Sequence, residues 1–139
     1  MSHILTPVTT TRGPAGNDIV CQGRIVSPDG TGTAVTNEGN AIRQVDVSAI
    51  SCSVYDVTSS PATLVGSPTI TAAAVLNVLT ADNEWGGLDT TGCNFRFQVA
   101  GSYFATGGRQ YRIVFSITTT GGTVLKWYHH HFADAVTPS

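Results

Sequence analysis

The chain has 139 residues, room for one domain and one hydrophobic core, and 41% of them are hydrophobic, which excludes disorder as a description of the whole. Charged residues make up only 12%, about half the share usual in soluble domains, and 20 Thr and 11 Ser supply the polarity instead; β-branched Thr suits extended backbone and Ser competes for helical hydrogen bonds, so a helical bundle is excluded. Seven Arg and Lys against nine Asp and Glu leave a formal charge of -2 with no run of either sign, which excludes the basic stripe of a nucleic-acid binder and a polybasic membrane anchor.

Residues 1–17 lack the basic start and apolar run of a secretory signal, and no segment nears the ~20 apolar residues that cross a bilayer. With Pro7, Thr9-Thr10-Thr11, Gly13-Pro14 and Gly16, this stretch has no core-facing period. It reads as an extended N-terminal arm, either frayed or laid on a neighbouring subunit and ordered only in an assembly. Residues 18–133 read as one β-sandwich domain and 134–139 as a C-terminal tail.

Within the domain, residues 19–26 form a first expected strand, followed by a Pro28-Asp29-Gly30 turn and a Gly-rich stretch to Thr36. A second runs from Val45 or Val47 to before Ser59-Ser60-Pro61, and Leu64-Val65 is a short third. Residues 69–79 mix strand and helix spacing and are expected as a strand with one helical turn. The clearest alternation sets Phe95, Phe97 and Val99 against Asn94, Arg96 and Gln98, with the polar set facing out. Tyr111, Ile113, Phe115 and Ile117 repeat the design. Gly121-Gly122 permit positive φ, so the chain should reverse there and return antiparallel over residues 124–132. Six or seven short strands with turn signals between them point to an all-β, immunoglobulin-like antiparallel sandwich rather than βαβ units.

Little in the sequence carries chemistry. Cys21, Cys52 and Cys93 are odd in number, widely spaced, and share parity with apolar neighbours, so they read as buried thiols, with neither a disulfide framework nor a zinc site. In His129-His130-His131 the first and third share a face with Leu125 and Trp127, while His130 sits opposite with Tyr128 and Phe132. Two histidines fall short of a metal site unless a carboxylate such as Asp134 or another subunit adds a ligand. They are read as partly exposed interface residues, sensitive to pH. Asp82, Glu84 and Trp85 make an acidic, aromatic corner open to sugar or Ca²⁺ but read as a solvated turn in which Trp85 plugs the sandwich or anchors a partner. Trp127 is read as core. No nucleophile elbow, His-Glu-x-x-His or phosphate loop occurs, so no catalytic residue, metal or cofactor is assigned.

Several stretches resemble a known family: Val54-Tyr55-Asp56-Val57, Thr80-Ala81-Asp82 with Trp85, Asp89-Thr90-Thr91-Gly92-Cys93-Asn94-Phe95, and Gly107-Gly108-Arg109-Gln110-Tyr111-Arg112. Together they resemble the small immunoglobulin-like structural proteins encoded among head and tail genes of tailed bacteriophages, over residues 19–132. Cys93 stands where that family would lead one to expect Tyr. The resemblance implies a non-enzymatic virion protein: a capsid cement or decoration subunit in many copies, or else a neck or tail accessory subunit or a glycan-binding module of a tail fibre. A histidine-dependent metal enzyme is the remaining alternative. The implied partners are the major capsid protein or neck and tail subunits, with homo-oligomerisation, no nucleic acid and no membrane, and assembly in the bacterial host cytoplasm. Trp85, Tyr128, His129 and His131 are the candidate interface residues.

Overall fold

A computed structural model describes residues 3–5, 10–26, 42–80, 93–122 and 124–135. Nine strands are described: β1 (His3–Leu5), β2 (Thr10–Pro14), β3 (Ile19–Val26), β4 (Val47–Asp56), β5 (Thr63–Gly66), β6 (Val75–Thr80), β7 (Cys93–Val99), β8 (Arg109–Thr119) and β9 (Val124–Asp134). They form a four-stranded sheet in the order β1-β3-β7-β6 and a five-stranded sheet in the order β2-β9-β8-β4-β5.

Period-two alternation builds the core as the sequence predicts. β8 turns Tyr111, Ile113, Phe115 and Ile117 inward, and β9 turns in Leu125, Trp127 and Ala133. Phe95 on β7 meets Phe115 and Trp127 edge-on, at centroid distances of 5.0 and 5.1 Å, and joins the two sheets. Gly122, at φ 90°, closes the β8–β9 hairpin, its amide donating to the Thr119 carbonyl at 2.9 Å. The mixed spacing of residues 69–79 resolves into a 3-10 turn, Ala72–Ala74, capped by the Thr71 hydroxyl, and then β6.

The segment read as an arm differs from expectation. Its described residues are strands of the sandwich: β1 pairs antiparallel with β3, and β2 pairs with β9. The β2–β9 pair is parallel, an exception to the antiparallel design. The reason is backbone satisfaction, since Thr10–Pro14 finds ladder partners along the open edge of β9. The corner after β2 is tied down as well. Gly16 donates to the Phe104 carbonyl at 2.9 Å and Gly101 to the Asp18 carboxylate at 2.6 Å, and a Cβ on Gly101 would strike the Gly16 backbone. Asp134 likewise belongs to β9 and not to a tail, while residues 136–139 and the Pro28-Asp29-Gly30 turn lie outside the described residues.

Asn94 also departs from the pattern. Expected on the outer face, it is 1% exposed. Its Oδ1 accepts from the Ile25 amide at 2.6 Å, and its Nδ2 donates to the carbonyls of Ile25 at 2.8 Å and Ile42 at 3.0 Å. One side chain thus uses both its donor and its acceptor ends to hold β3 and the segment leading into β4.

Cys21, Cys52 and Cys93 are buried free thiols, as expected. Burial pushes the Cys21 thiol well up, the nearby Cys52 adding to it, and raises Cys52 to about 12. Because the thiolate is the reactive form, a disulfide-forming reagent at pH 8 should modify Cys52 in the folded protein roughly a thousandfold more slowly than in the unfolded chain. Ellman's reagent with and without denaturant measures this. Equal rates would put Cys52 outside the core.

Candidate functional site

β9 divides the histidine run between two environments. His129 and His131 do share a face, but that face is the core: they are 3% and 2% exposed. This corrects their reading as partly exposed interface residues. The physical reason lies on β2, where the Thr11 hydroxyl lies 2.9 Å from His129 Nε2 and 2.7 Å from His131 Nδ1. A hydroxyl has one proton, so it donates to one ring and accepts from the other, which couples the two tautomers. The Phe104 ring packs on His131 at 4.8 Å. Burial, opposed by the charge of Asp134, holds His131 below the ordinary histidine pKa of 6.5. The ring nitrogens facing Thr11 are therefore engaged by protein. Asp134, the carboxylate a metal site would need, instead accepts from Arg12 Nε at 2.9 Å. Among the described residues no three His, Cys, Asp or Glu side chains gather into a metal site.

The opposite side of the same hairpin is a surface. Register places Val114 across from Tyr128, Arg112 across from His130, Gln110 across from Phe132 and Ser116 across from Lys126. On the other flank of β8, Tyr55 pairs with Arg112, Ser53 with Val114 and Ser51 with Ser116. Tyr128 is 53% exposed. The Arg112 guanidinium lies over its ring at 5.0 Å, and His130 meets the ring edge-on at 5.3 Å. Arg12 lies 5.7 Å over Phe132. Partial burial and the Arg112 charge both hold His130 below its ordinary pKa. Leu64 on β5, across from Tyr55, carries the apolar surface to the sheet edge at 54% exposure. Around Tyr128 and Arg112 this face is aromatic and cationic; around Ser51, Ser53 and Ser116 it is small and hydroxylic, with Lys126 across from Ser116.

Of the four residues named from sequence, Tyr128 alone sits on this face, and Trp85, with Asp82 and Glu84, lies outside the described residues. Arg112, His130, Phe132 and Tyr55, which join Tyr128 there, are not among those four. For Arg112, His130 and Phe132 the signal lies in the sequence, because the Gly121-Gly122 turn fixes the hairpin register and therefore which even-numbered side chains share the outer face; Tyr55 joins them only through the long-range β4–β8 pairing.

The strand order defines the class. β1-β3-β7-β6 over β9-β8-β4 reproduces the A-B-E-D and G-F-C sheets of an immunoglobulin-like sandwich; β5 lies beyond β4 where variable domains add a strand. A tyrosine corner accompanies it, with Tyr111 at the start of β8 donating to the Thr106 carbonyl at 3.3 Å. Two residues further on stands Ile113, where antibody domains carry the second cysteine of the inter-sheet disulfide. No protein-family model and no curated protein matches the chain. Among solved structures, murine CRIg aligns over 99% of this chain and 99% of its own at 11% identity, with a TM-score of 0.42.

Proposed function

We propose that this immunoglobulin-like domain is a non-enzymatic structural subunit of a bacteriophage particle, a cement or decoration protein that docks on the shell in many copies through the outer face of β9, β8 and β4. The observation that carries the reading is the exposed Tyr128 with Arg112 stacked on it, set beside the hydroxyl-bearing Ser51, Ser53 and Ser116. Tyr and Arg are the side chains over-represented where protein surfaces bind, and neutral hydroxyls pair with little desolvation of ions. The sequence resemblance to virion proteins supplies the setting, with the major capsid protein as partner and assembly in the host cytoplasm. Copies arrayed on a shell add weak contacts into avidity.

The test is mass spectrometry with immunogold negative-stain microscopy of particles purified from cells that make the protein. Label spread over the head in many copies per particle is expected. Label confined to the neck or tail would replace decoration with an accessory role. Particles without the protein would end the virion reading.

A further inference from the structure

Among the described residues, the outer face carries positive charge that no carboxylate pairs with. Each described carboxylate is already engaged: Asp18 by Gln98 and the Gly101 amide, Asp46 by the Arg43 amide, Asp56 by Thr58 and Arg109, and Asp134 by Arg12. On the cationic side, Arg12 and Arg109 have these acids, and Arg24, Arg43 and Arg96 have partners of their own. Arg112 and Lys126 remain. Among the described residues, no hydrogen bond or ion pair reaches either of them, and Arg112 Nε is buried without a partner. Both belong to the one face that also exposes Tyr128. The Arg112 and Lys126 register rows are four residues apart along β9, about 13 Å at ~3.3 Å per residue, with the Tyr128 row between them.

Among the described residues of this chain of net charge -2, the positive charge without an ion pair or hydrogen bond thus gathers on one patch, around an aromatic ring. A guanidinium resting on a ring is held in place and part desolvated, and its Nη donors remain for a planar, bidentate acceptor. We infer that this patch recognises an acidic protein surface, a partner carboxylate pairing with Arg112 and a second acid reaching Lys126 while the partner's side chains pack on Tyr128. The inference names the partner chemistry of the face assigned above and rests on that face being a docking surface, though not on the particle being a phage. Nucleic acid is disfavoured, since counterion-release binding draws on a run of phosphate contacts and two free cations supply too few.

The probe is a blocked hexaglutamate peptide, titrated into the full-length isotope-labelled protein and followed by NMR at low salt, with hexalysine and a single-stranded oligonucleotide as controls. Hexaglutamate should move the Arg112 Nε–H, Tyr128, Lys126 and His130 signals, weaken with added salt, and have no counterpart with hexalysine. Arg112→Gln should weaken the binding at least tenfold, and Arg112→Glu should abolish it, both with unchanged melting temperature; Tyr128→Ala should weaken it severalfold. Shifts elsewhere on the molecule, an Arg112→Gln variant that binds equally well, or stronger binding of the oligonucleotide would overturn the inference. Sedimentation of the free protein separates one more case: a salt-sensitive dimer lost in Arg112→Glu would make the occupant a second copy and overturn the partner assignment. Specific hexaglutamate binding by a protein absent from particles would sink the virion reading and leave this one standing.

Discussion

Replacing Asn94 by Ala should lower the unfolding free energy by about 3–5 kcal/mol, because it leaves the Ile25 amide and the Ile42 carbonyl buried and unpaired at ~1–3 kcal/mol each and adds a small void. The Ile25 carbonyl keeps the Ile42 amide, at 3.2 Å, so it does not add to the loss. In a domain of this size the melting temperature should fall by roughly 10–20 °C. Asn94→Asp should do no better at neutral pH, since a carboxylate accepts from the Ile25 amide but cannot donate to two carbonyls. Urea unfolding of both variants measures the effect. A cost below about 1 kcal/mol would mean that β3 and the segment entering β4 are held by something else.

The second large effect concerns Thr11. Thr11→Val should cost about 2–4 kcal/mol, since it deprives two buried ring nitrogens of their shared hydroxyl and loosens β2 from β9. Acid should act on the same contact. A histidine whose folded pKa lies below its unfolded value contributes stability that is fully present above 6.5 and is lost as the pH falls through the depressed folded value. The groups around His131 include the Thr11 hydroxyl, the Phe104 ring, Tyr111 directly across the β8–β9 ladder and, at longer range, the Asp134 carboxylate, whose charge does not offset burial. The melting temperature should therefore be flat from pH 8 to 7 and drop below pH 6.5. His131→Leu should flatten part of that drop, with His130, whose pKa is depressed too, contributing to what remains. Asp56 acts in a separate window. Some burial opposes its ionisation, but hydrogen bonds from Thr58 and the Arg109 charge outweigh it, so its contribution persists until the pH falls below 3.8. An unchanged slope in His131→Leu would move the acid response away from the β2–β9 seam.

Much of the fold was legible because alternation is a local signal. Phe95, Phe115 and Trp127 reveal their inward faces within five or six residues of sequence, and the Gly121-Gly122 doublet marks the reversal. Parity also placed the three thiols. The rest depended on partners far along the chain. Thr10-Thr11 has no pattern of its own, and its strand exists because β9 offers an open edge more than a hundred residues later. The polarity of His129 and His131 argues for the surface until Thr11 arrives to bond one nitrogen of each ring. Asn94 was misjudged for the same reason, since its three backbone partners lie on other segments. The candidate face was half visible: its composition could be read from the hairpin, but the stacking of Arg112 on Tyr128 and the lack, among the described residues, of a carboxylate paired with it are properties of the assembled sheet.

Pairing β2 with β9 has a consequence for the order in which the molecule is made. Thr11 and His131 are separated by 120 positions, so at ~5–20 residues per second the early strand waits roughly 6–24 s for its mate to be synthesised. The five-stranded sheet cannot close on the ribosome until the last strand has emerged, and a nascent chain halted before Val124 forfeits two strands rather than one.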